Sequence, residues 1–179
     1  MNILIGVILL LIVCVVGWYI GTSNSIRRAE LKINEALSGI DVALTKRYDV
    51  LTKMLDAVKA FQKYETDTLS NIVNLRMGMT MQERSEADRN MDKLTSELRL
   101  VAENYPELKS SENYAELQKS IVDVEEHLQA ARRLYNANVT AYNKYLITFP
   151  SNIVANSMGA VSKPFYEADS VKRQDVKIY

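Results

Sequence analysis

The sequence predicts an all-α protein: an antiparallel, up-down helical bundle of three long helices and a short fourth, carried on an N-terminal transmembrane helix. Three observations support this class. Apolar residues recur at helical spacing over long stretches of the chain. Its 179 residues include only 6 Gly and 3 Pro, too few for a turn-rich β domain. An uncharged apolar run opens the chain. Each amphipathic helix must bury its apolar stripe against the others, and short connections favour antiparallel neighbours.

The opening run, Ile3 to Ile20, has no charged residue and is about 27 Å long as a helix, close to a bilayer core of about 30 Å. Trp18 and Tyr19 end it, where aromatic rings favour the headgroup region. A cleaved signal peptide is the alternative, but residues 1–2 lack the basic side chain that it needs. We therefore interpret residues 1–22 as an uncleaved anchor, whose membrane-facing residues include Ile3, Leu10, Trp18 and Ile20.

Basic residues near the run predict which side of the membrane the domain occupies. Arg27, Arg28 and Lys32 follow the run, and no Lys or Arg precedes it. The positive-inside rule then places residues 23–160, the predicted bundle domain, in the cytoplasm. The expected location is the bacterial inner membrane, spanned once.

A row of core-facing positions at steps of three, four or seven, here called a seam, marks each predicted helix. Ser23, Asn24 or Ser25 can cap the first helix of the bundle, and the sequence leaves open whether this helix is continuous with the anchor. Its seam comprises Ile26, Ile33, Leu37, Ile40, Leu44, Leu51, Leu55 and Val58, then continues with shifted phase through Phe61, Leu69, Ile72 and Leu75 to a stop at Gly78. Two competing starts are predicted for the next helix, a capping box at Thr80-x-x-Glu83 and the later Ser85, and the helix is expected to end before Pro106. Its seam comprises Ala87, Met91, Leu94, Leu98, Val101 and Tyr105.

The longest seam begins after Ser110 and Ser111, which can cap a helix, and Pro150 ends it. It comprises Tyr114, Leu117, Ile121, Val124, Leu128, Ala131, Tyr135, Asn138, Tyr142, Tyr145 and Phe149. A short helix, 152–158, is expected to end at Gly159. Residues 161–179 are expected to form a weakly ordered tail.

Composition argues against several function classes. Zero net charge is unfavourable for general nucleic-acid binding. The single cysteine, Cys14, excludes an intrachain disulfide and a cysteine-based zinc cluster. No nucleophile triad, phosphate loop or dinucleotide fingerprint is present. We therefore expect neither catalysis nor a cofactor.

A metal site has weak support in the sequence. His127 is the only histidine and lacks an HxxH or HExxH partner. Glu125 and Glu126 could join Glu65 as a carboxylate site, but the Glu-x-x-His spacing of di-iron bundles is missing. We interpret His127 as solvated or helix-paired and expect no metal site.

Polar residues interrupt the seams at two places. Tyr135-Asn136 and Tyr142-Asn143 repeat with a period of seven, which predicts a polar layer inside the bundle. A groove for an extended or helical partner is the alternative.

Arg47 and Asp49 on the first helix and Arg132 on the long helix carry complementary charges. A pair between Asp49 and Arg132 would align the two helices.

These residues resemble the LemA family of bacterial membrane-anchored proteins, from the anchor to Lys163-Pro164-Phe165. The matching residues are Ile40-Asp41-Val42, Lys46-Arg47-x-Asp49-x-Leu51, Val58-Lys59, Glu65, Tyr105-Pro106-Glu107-Leu108, Glu125, Ala131-Arg132-x-x-Tyr135-Asn136-x-x-Val139-x-x-Tyr142-Asn143 and Phe149-Pro150. The chain departs from the family at Leu37, usually Trp, and at Glu126-His127, usually Asn-Arg. The resemblance implies a transmembrane segment, an antiparallel helical bundle, no assigned catalysis, and a role as a membrane scaffold or an accessory of membrane proteases.

Two function classes follow. The first is a membrane-tethered scaffold or adaptor that docks a protein partner, such as a membrane protease or a second copy of the chain. The second is a small-ligand or metal sensor that uses the Tyr/Asn layer. A sealed layer favours the scaffold, whereas a cavity lined by Tyr135, Tyr142 and Asn143 would favour the sensor.

The anchor gives the first testable prediction. Because the run from Ile3 to Ile20 carries no charge, the full-length protein should pellet with membranes and resist carbonate extraction. A fragment beginning at Asn24 should be soluble. Recovery of a mature chain cut near Gly21 would contradict the anchor.

Overall fold

The structure, a computed structural model, describes residues 2–59 and 79–166. In this part the chain forms helices and no strands, so the predicted all-α class is confirmed. The helices are α1 (Asn2–Lys59), α2 (Met81–Glu103), α3 (Pro106–Lys109), α4 (Glu112–Ile147) and α5 (Ser151–Ser157). The predicted seam from Phe61 to Leu75, its stop at Gly78 and tail residues 167–179 lie outside the described residues.

The anchor and the first bundle helix form one continuous helix, α1. The possible helix cap at Ser23–Ser25 is therefore not used, and the helix is continuous with the anchor. Ser25 Oγ donates instead to the Gly21 carbonyl within the helix, at 2.9 Å, a bond that lets a serine lie in a helix interior. Among the described residues, α1 is the helix that is long and apolar enough to cross a membrane. Its apolar segment is exposed throughout, including Ile3, Leu10, Trp18 and Ile20.

The chain divides into two compact units. We call the first the anchor unit; its described residues are 2–37 and 134–165. We call the second the bundle unit; its described residues are 38–59, 79–133 and Tyr166.

The bundle unit packs α1, α2 and α4 along their apolar seams. Asp41 pairs with Arg84 and Arg47 with Asp88, so α1 and α2 run in the same direction. Tyr114 donates to the Leu98 carbonyl, and Arg132 pairs with Asp88, so α4 runs antiparallel to α2. The core includes Ile40, Leu44, Leu51, Leu55, Val58, Met91, Leu94, Leu98, Ile121 and Leu128, all buried.

The anchor unit packs residues 21–37 of α1 against the end of α4 and against α5. Asn138 Nδ2 donates to the Lys32 carbonyl at 3.0 Å, and the Tyr19 hydroxyl lies 2.9 Å from Ser157 Oγ. Its core contains Ile26, Ile33, Ala36, Tyr135, Val139, Tyr142, Val154 and Ala155, all buried.

Most helix ends follow the predicted signals. The Thr80/Glu83 capping box starts α2, and Ser111 Oγ accepts from the Tyr114 amide at the start of α4. Gly159 follows the predicted short helix. Its φ of 65° is a left-handed conformation, which glycine adopts readily at the end of a helix. The one-turn helix α3 was not predicted; Pro106 occupies its first turn. Phe149, the last predicted seam position, is exposed because α4 ends at Ile147.

Candidate functional site

The bundle unit contains a cluster of ion pairs centred on Arg47, which is 1% exposed. Its Nη1 donates to Asp88 Oδ1 at 2.7 Å, and its Nη2 donates to Asp92 Oδ1 at 2.5 Å and Glu125 Oε1 at 3.1 Å. The three carboxylates come from α2 and α4. One guanidinium on α1 is thus bound by both other long helices of the unit.

Asp88 is the second centre of this cluster. Its Oδ1 accepts from Arg47, and its Oδ2 accepts from Arg132 and, at 3.2 Å, from the Tyr166 hydroxyl. The Arg132 guanidinium carbon also lies 5.0 Å from the centroid of the Tyr166 ring, a cation–π geometry. Burial raises the pKa of Tyr166, and the positive charge of Arg132 opposes that rise. The hydroxyl therefore keeps its proton at neutral pH and remains a donor to Asp88.

A further ion pair joins α1 to the start of α2. Arg84 binds Asp41 through two parallel hydrogen bonds, Nε to Oδ1 at 2.6 Å and Nη2 to Oδ2 at 2.8 Å. This fork geometry fixes both the direction and the spacing of the two groups. Arg84 also donates to the Met79 carbonyl just before α2 begins.

The spacing of apolar residues in the first helix indicates that Arg47 is buried, although Arg47 is not one of the apolar residues of the seam. The first seam steps by seven from Leu44 to Leu51, and Arg47 occupies the intermediate core position, three residues after Leu44 and four before Leu51. Asp88 similarly precedes Met91 by three residues. A charged residue at a seam position indicates a buried ion pair, because an unpaired buried charge is strongly unfavourable. Its partners could not be read from this pattern.

Of the three charged residues predicted to interact, the structure brings two together at a shared partner and leaves the third exposed. Arg47 and Arg132 both bind Asp88, whereas Asp49 is exposed. The expected pairing of Asp49 with Arg132 is therefore wrong: Asp49 lies two residues from Arg47, on the solvent side of α1. His127 is also exposed, and its Nδ1 lies 2.8 Å from the Asp123 carbonyl one turn earlier. Within the described residues, no group of three or more His, Cys, Asp or Glu is arranged to hold a metal ion.

The Tyr/Asn layer lies in the anchor unit, where residues 163–164 bind it. Tyr135 is buried, and its hydroxyl donates to the Pro164 carbonyl at 3.0 Å. Asn143 donates to the Lys163 carbonyl at 3.0 Å and accepts from the Lys163 amide at 2.9 Å. Tyr142 is also buried, and Asn136 is half-buried. Polar groups of the layer are thus engaged by the chain's own backbone.

Lys163 adds a charged contact to this layer. Its Nζ lies 2.7 Å from Glu30 on α1 and 5.8 Å from the centroid of the Tyr142 ring. The hydrogen bond to Glu30 raises the pKa of Lys163. Burial, with a contribution from the negative charge of Glu30, raises the pKa of Tyr142. The tail segment predicted to be weakly ordered therefore forms specific contacts with the Tyr/Asn layer through Lys163 and Pro164. The sequence analysis had not identified Lys163 or Glu30 as site residues.

Removing Arg47 should destabilise the bundle unit strongly. In Arg47→Ala, buried Asp88 loses one of its cations, and truncating one partner of a buried ion pair typically costs about 3–5 kcal/mol. Asp49→Ala is the matched control, because this neighbouring carboxylate is exposed; it should change stability by less than about 0.5 kcal/mol. Thermal unfolding of the full chain in detergent, followed by circular dichroism, compares the two. Equal melting temperatures would exclude a structural role for the cluster.

Substitutions in the Tyr/Asn layer should destabilise the anchor unit to different extents. Tyr142→Ala should cost about 3–5 kcal/mol, as truncation of a large core aromatic does. Tyr142→Phe keeps the ring and should lose at most about 1 kcal/mol, and Tyr135→Phe should lose about 1 kcal/mol with its bond to Pro164. The same melting assay measures all three. If Tyr142→Ala melts like the parent, the ring lies in an open groove rather than in a core.

Comparison with known proteins identifies the family of this chain. A sequence profile of the LemA family matches residues 36–179. The chain is also similar to Protein LemA of Metamycoplasma hominis, with 30% identity over 163 residues that cover 88% of this chain and 74% of that protein. The profile match includes the Arg47 cluster and the Tyr/Asn layer. The two comparisons confirm the resemblance seen in the sequence. The chain belongs to the LemA family.

Proposed function

We propose that this protein is a membrane-anchored helical-bundle scaffold or adaptor, which docks a partner protein at the bacterial inner membrane and performs no catalysis. The observation that carries the proposal is the continuity of α1. An exposed apolar segment long enough to cross a bilayer passes, without a break, into a helix that packs against α4 and α5 in the anchor unit. Such a continuous helix ties the anchor unit directly to its membrane segment, as a tethered scaffold or adaptor requires.

The polar residues of both units support a structural role over a sensor. A ligand sensor needs polar groups that are available to its ligand. The Tyr135 hydroxyl and both polar ends of the Asn143 side chain are already bound to residues 163–164. The Arg47 cluster likewise brings its carboxylates to its own guanidinium groups. No contact of the layer favours the sensor as a second candidate.

The bundle unit offers a surface for the partner on α4. A shallow, wide-open depression on one face of α4, here called the groove, is lined by Ala115, Gln118, Lys119, Val122, Asp123 and Glu126. Val122 is 47% exposed at its centre, with charged side chains of both signs around it. An apolar centre with a polar rim is the usual arrangement of a protein interface. We propose this groove as the docking surface.

The proposed orientation places the bundle unit in the cytoplasm. Arg27, Arg28 and Lys32 are all exposed just beyond the apolar segment. They can therefore meet the anionic headgroups of the cytoplasmic leaflet. The partner is then a cytoplasmic protein or the cytoplasmic part of a membrane protein, such as a membrane protease.

Photo-crosslinking in intact cells tests docking. A benzophenone side chain replaces Val122 in the full-length protein, and crosslinked products are identified by mass spectrometry. Val42 is the matched control, because it is an apolar residue of the same unit, is 54% exposed and does not line the groove. We expect one dominant partner from position 122 and none from position 42. Equal products at both positions would contradict docking in this groove, and a partner confined to the outer side would contradict the orientation.

A further inference from the structure

The end of α4 and all of α5 belong to a second long stretch without charge. No Asp, Glu, Lys or Arg occurs between Lys144 and Lys163, a stretch of 18 residues in a chain in which 25% of residues are charged. Ile147 is 82% exposed in this stretch, Phe149 76% and Ile153 56%. Large apolar side chains exposed so close together indicate a surface that meets an apolar partner.

A hydrogen bond places this surface beside the end of the membrane segment. The Tyr19 hydroxyl lies 2.9 Å from Ser157 Oγ at the end of α5. Tyr19 is the next-to-last residue of the apolar run, where the hydrocarbon core gives way to the headgroup region. Ile153 precedes Ser157 by one helical turn, about 6 Å along the axis. The headgroup region itself is about 5–7 Å thick on each side, a distance comparable to this one turn of α5.

The faces of α5 fit this position. Val154 and Ala155 are fully buried in the anchor unit, whereas the adjacent Ile153 is exposed. The inner face is therefore occupied by the protein, and the outer face carries an aliphatic side chain with no charge beside it. Lys144 and Lys163 bound the stretch at its two ends, and Lys144 is exposed. A lysine at the edge of an apolar surface can direct its ammonium group to the headgroups.

We propose that the corner formed by the end of α4 and α5, with Ile147, Phe149 and Ile153 at its surface, is a second lipid contact. It inserts into the headgroup–acyl boundary of the leaflet that Trp18 and Tyr19 face. This proposal rests on the proposed membrane anchoring by α1. The corner then restrains the tilt of α1 and binds the anchor unit to the bilayer surface.

Lipid fits this corner better than a protein partner does. The surface is continuous, through the Tyr19–Ser157 contact, with the exposed apolar face of α1. It contains no charged residue, whereas the groove around Val122 includes Lys119, Asp123 and Glu126. Protein interfaces usually surround their apolar centre with such a polar rim, and an interfacial lipid contact needs none at its centre.

Site-directed spin labelling of the full-length protein tests the proposal. The protein, with Cys14→Ser to remove its native thiol, is reconstituted into vesicles of equal parts phosphatidylcholine and phosphatidylglycerol. Single labels are attached to Phe149→Cys and Ile153→Cys. Val16→Cys, in the apolar segment, reports the anchor. Leu31→Cys is the matched control: it is 65% exposed in the same unit, about 18 Å further along α1 than Tyr19.

The measurement is the collision rate of each label with oxygen, which concentrates in lipid, and with a water-soluble nickel chelate. At positions 149 and 153 we expect oxygen to dominate, as at position 16 but at shallower depth, whereas the nickel chelate dominates at position 31. Nickel dominance at 149 and 153 would overturn the second contact while leaving the anchor intact. Protection from both reagents would show that protein covers the corner and would also overturn the proposal. Nickel dominance at position 16 would instead remove the anchor, and the second contact with it.

Discussion

Burial of the Arg47 guanidinium is the constraint on which the bundle unit depends. A charged group removed from water is strongly unfavourable unless opposite charges and hydrogen-bond acceptors surround it. Here Asp88, Asp92 and Glu125 supply them from two other helices. The carboxylates reach Arg47 only when α2 and α4 lie at one register relative to α1. A purely aliphatic seam would tolerate a shift of one heptad, and the ion pairs do not. Their main contribution is therefore to the uniqueness of the packing rather than to net stability.

Asp88 extends this constraint to the segment that follows α5. Its second carboxylate oxygen accepts from Arg132 and from the Tyr166 hydroxyl, so six side chains meet at the two connected centres, Arg47 and Asp88. In the anchor unit, Lys163 and Pro164 of the same segment bind the Tyr/Asn layer. Lys163 and Pro164 thus contact polar side chains of the anchor unit, and Tyr166 contacts Asp88 in the bundle unit. A segment without regular secondary structure can be well placed when its backbone groups are satisfied by side chains of neighbouring helices.

The proposed membrane anchor would define the role of the anchor unit. Among the described residues α1 is the one candidate span, and membership in the LemA family is shown for the chain. A scaffold held by a single helix would rotate and tilt freely at the bilayer surface. The proposed contact of α5 with lipid would limit that freedom for the anchor unit.

Local sequence signals determined the all-α class, the seams and the ends near Pro106 and Gly159, because these depend on residues close in sequence. They offered Thr80 and Ser85 as competing starts of the next helix, and the structure uses Thr80. The period-seven repeat located the Tyr/Asn layer, and complementary charge singled out Arg47 and Arg132, but the sequence did not show their partners. It could not show that α1 continues through Ser23–Ser25, since a serine can cap a helix or bond back within one. It paired Arg132 with Asp49, whereas helix packing places Asp88 beside it. Glu30, Asp88, Lys163 and Tyr166 became site residues only in the tertiary structure, because their partners are 41 to 133 residues away in sequence. Local patterns specify which face of a helix is buried, but which side chains meet across that face depends on how the helices pack.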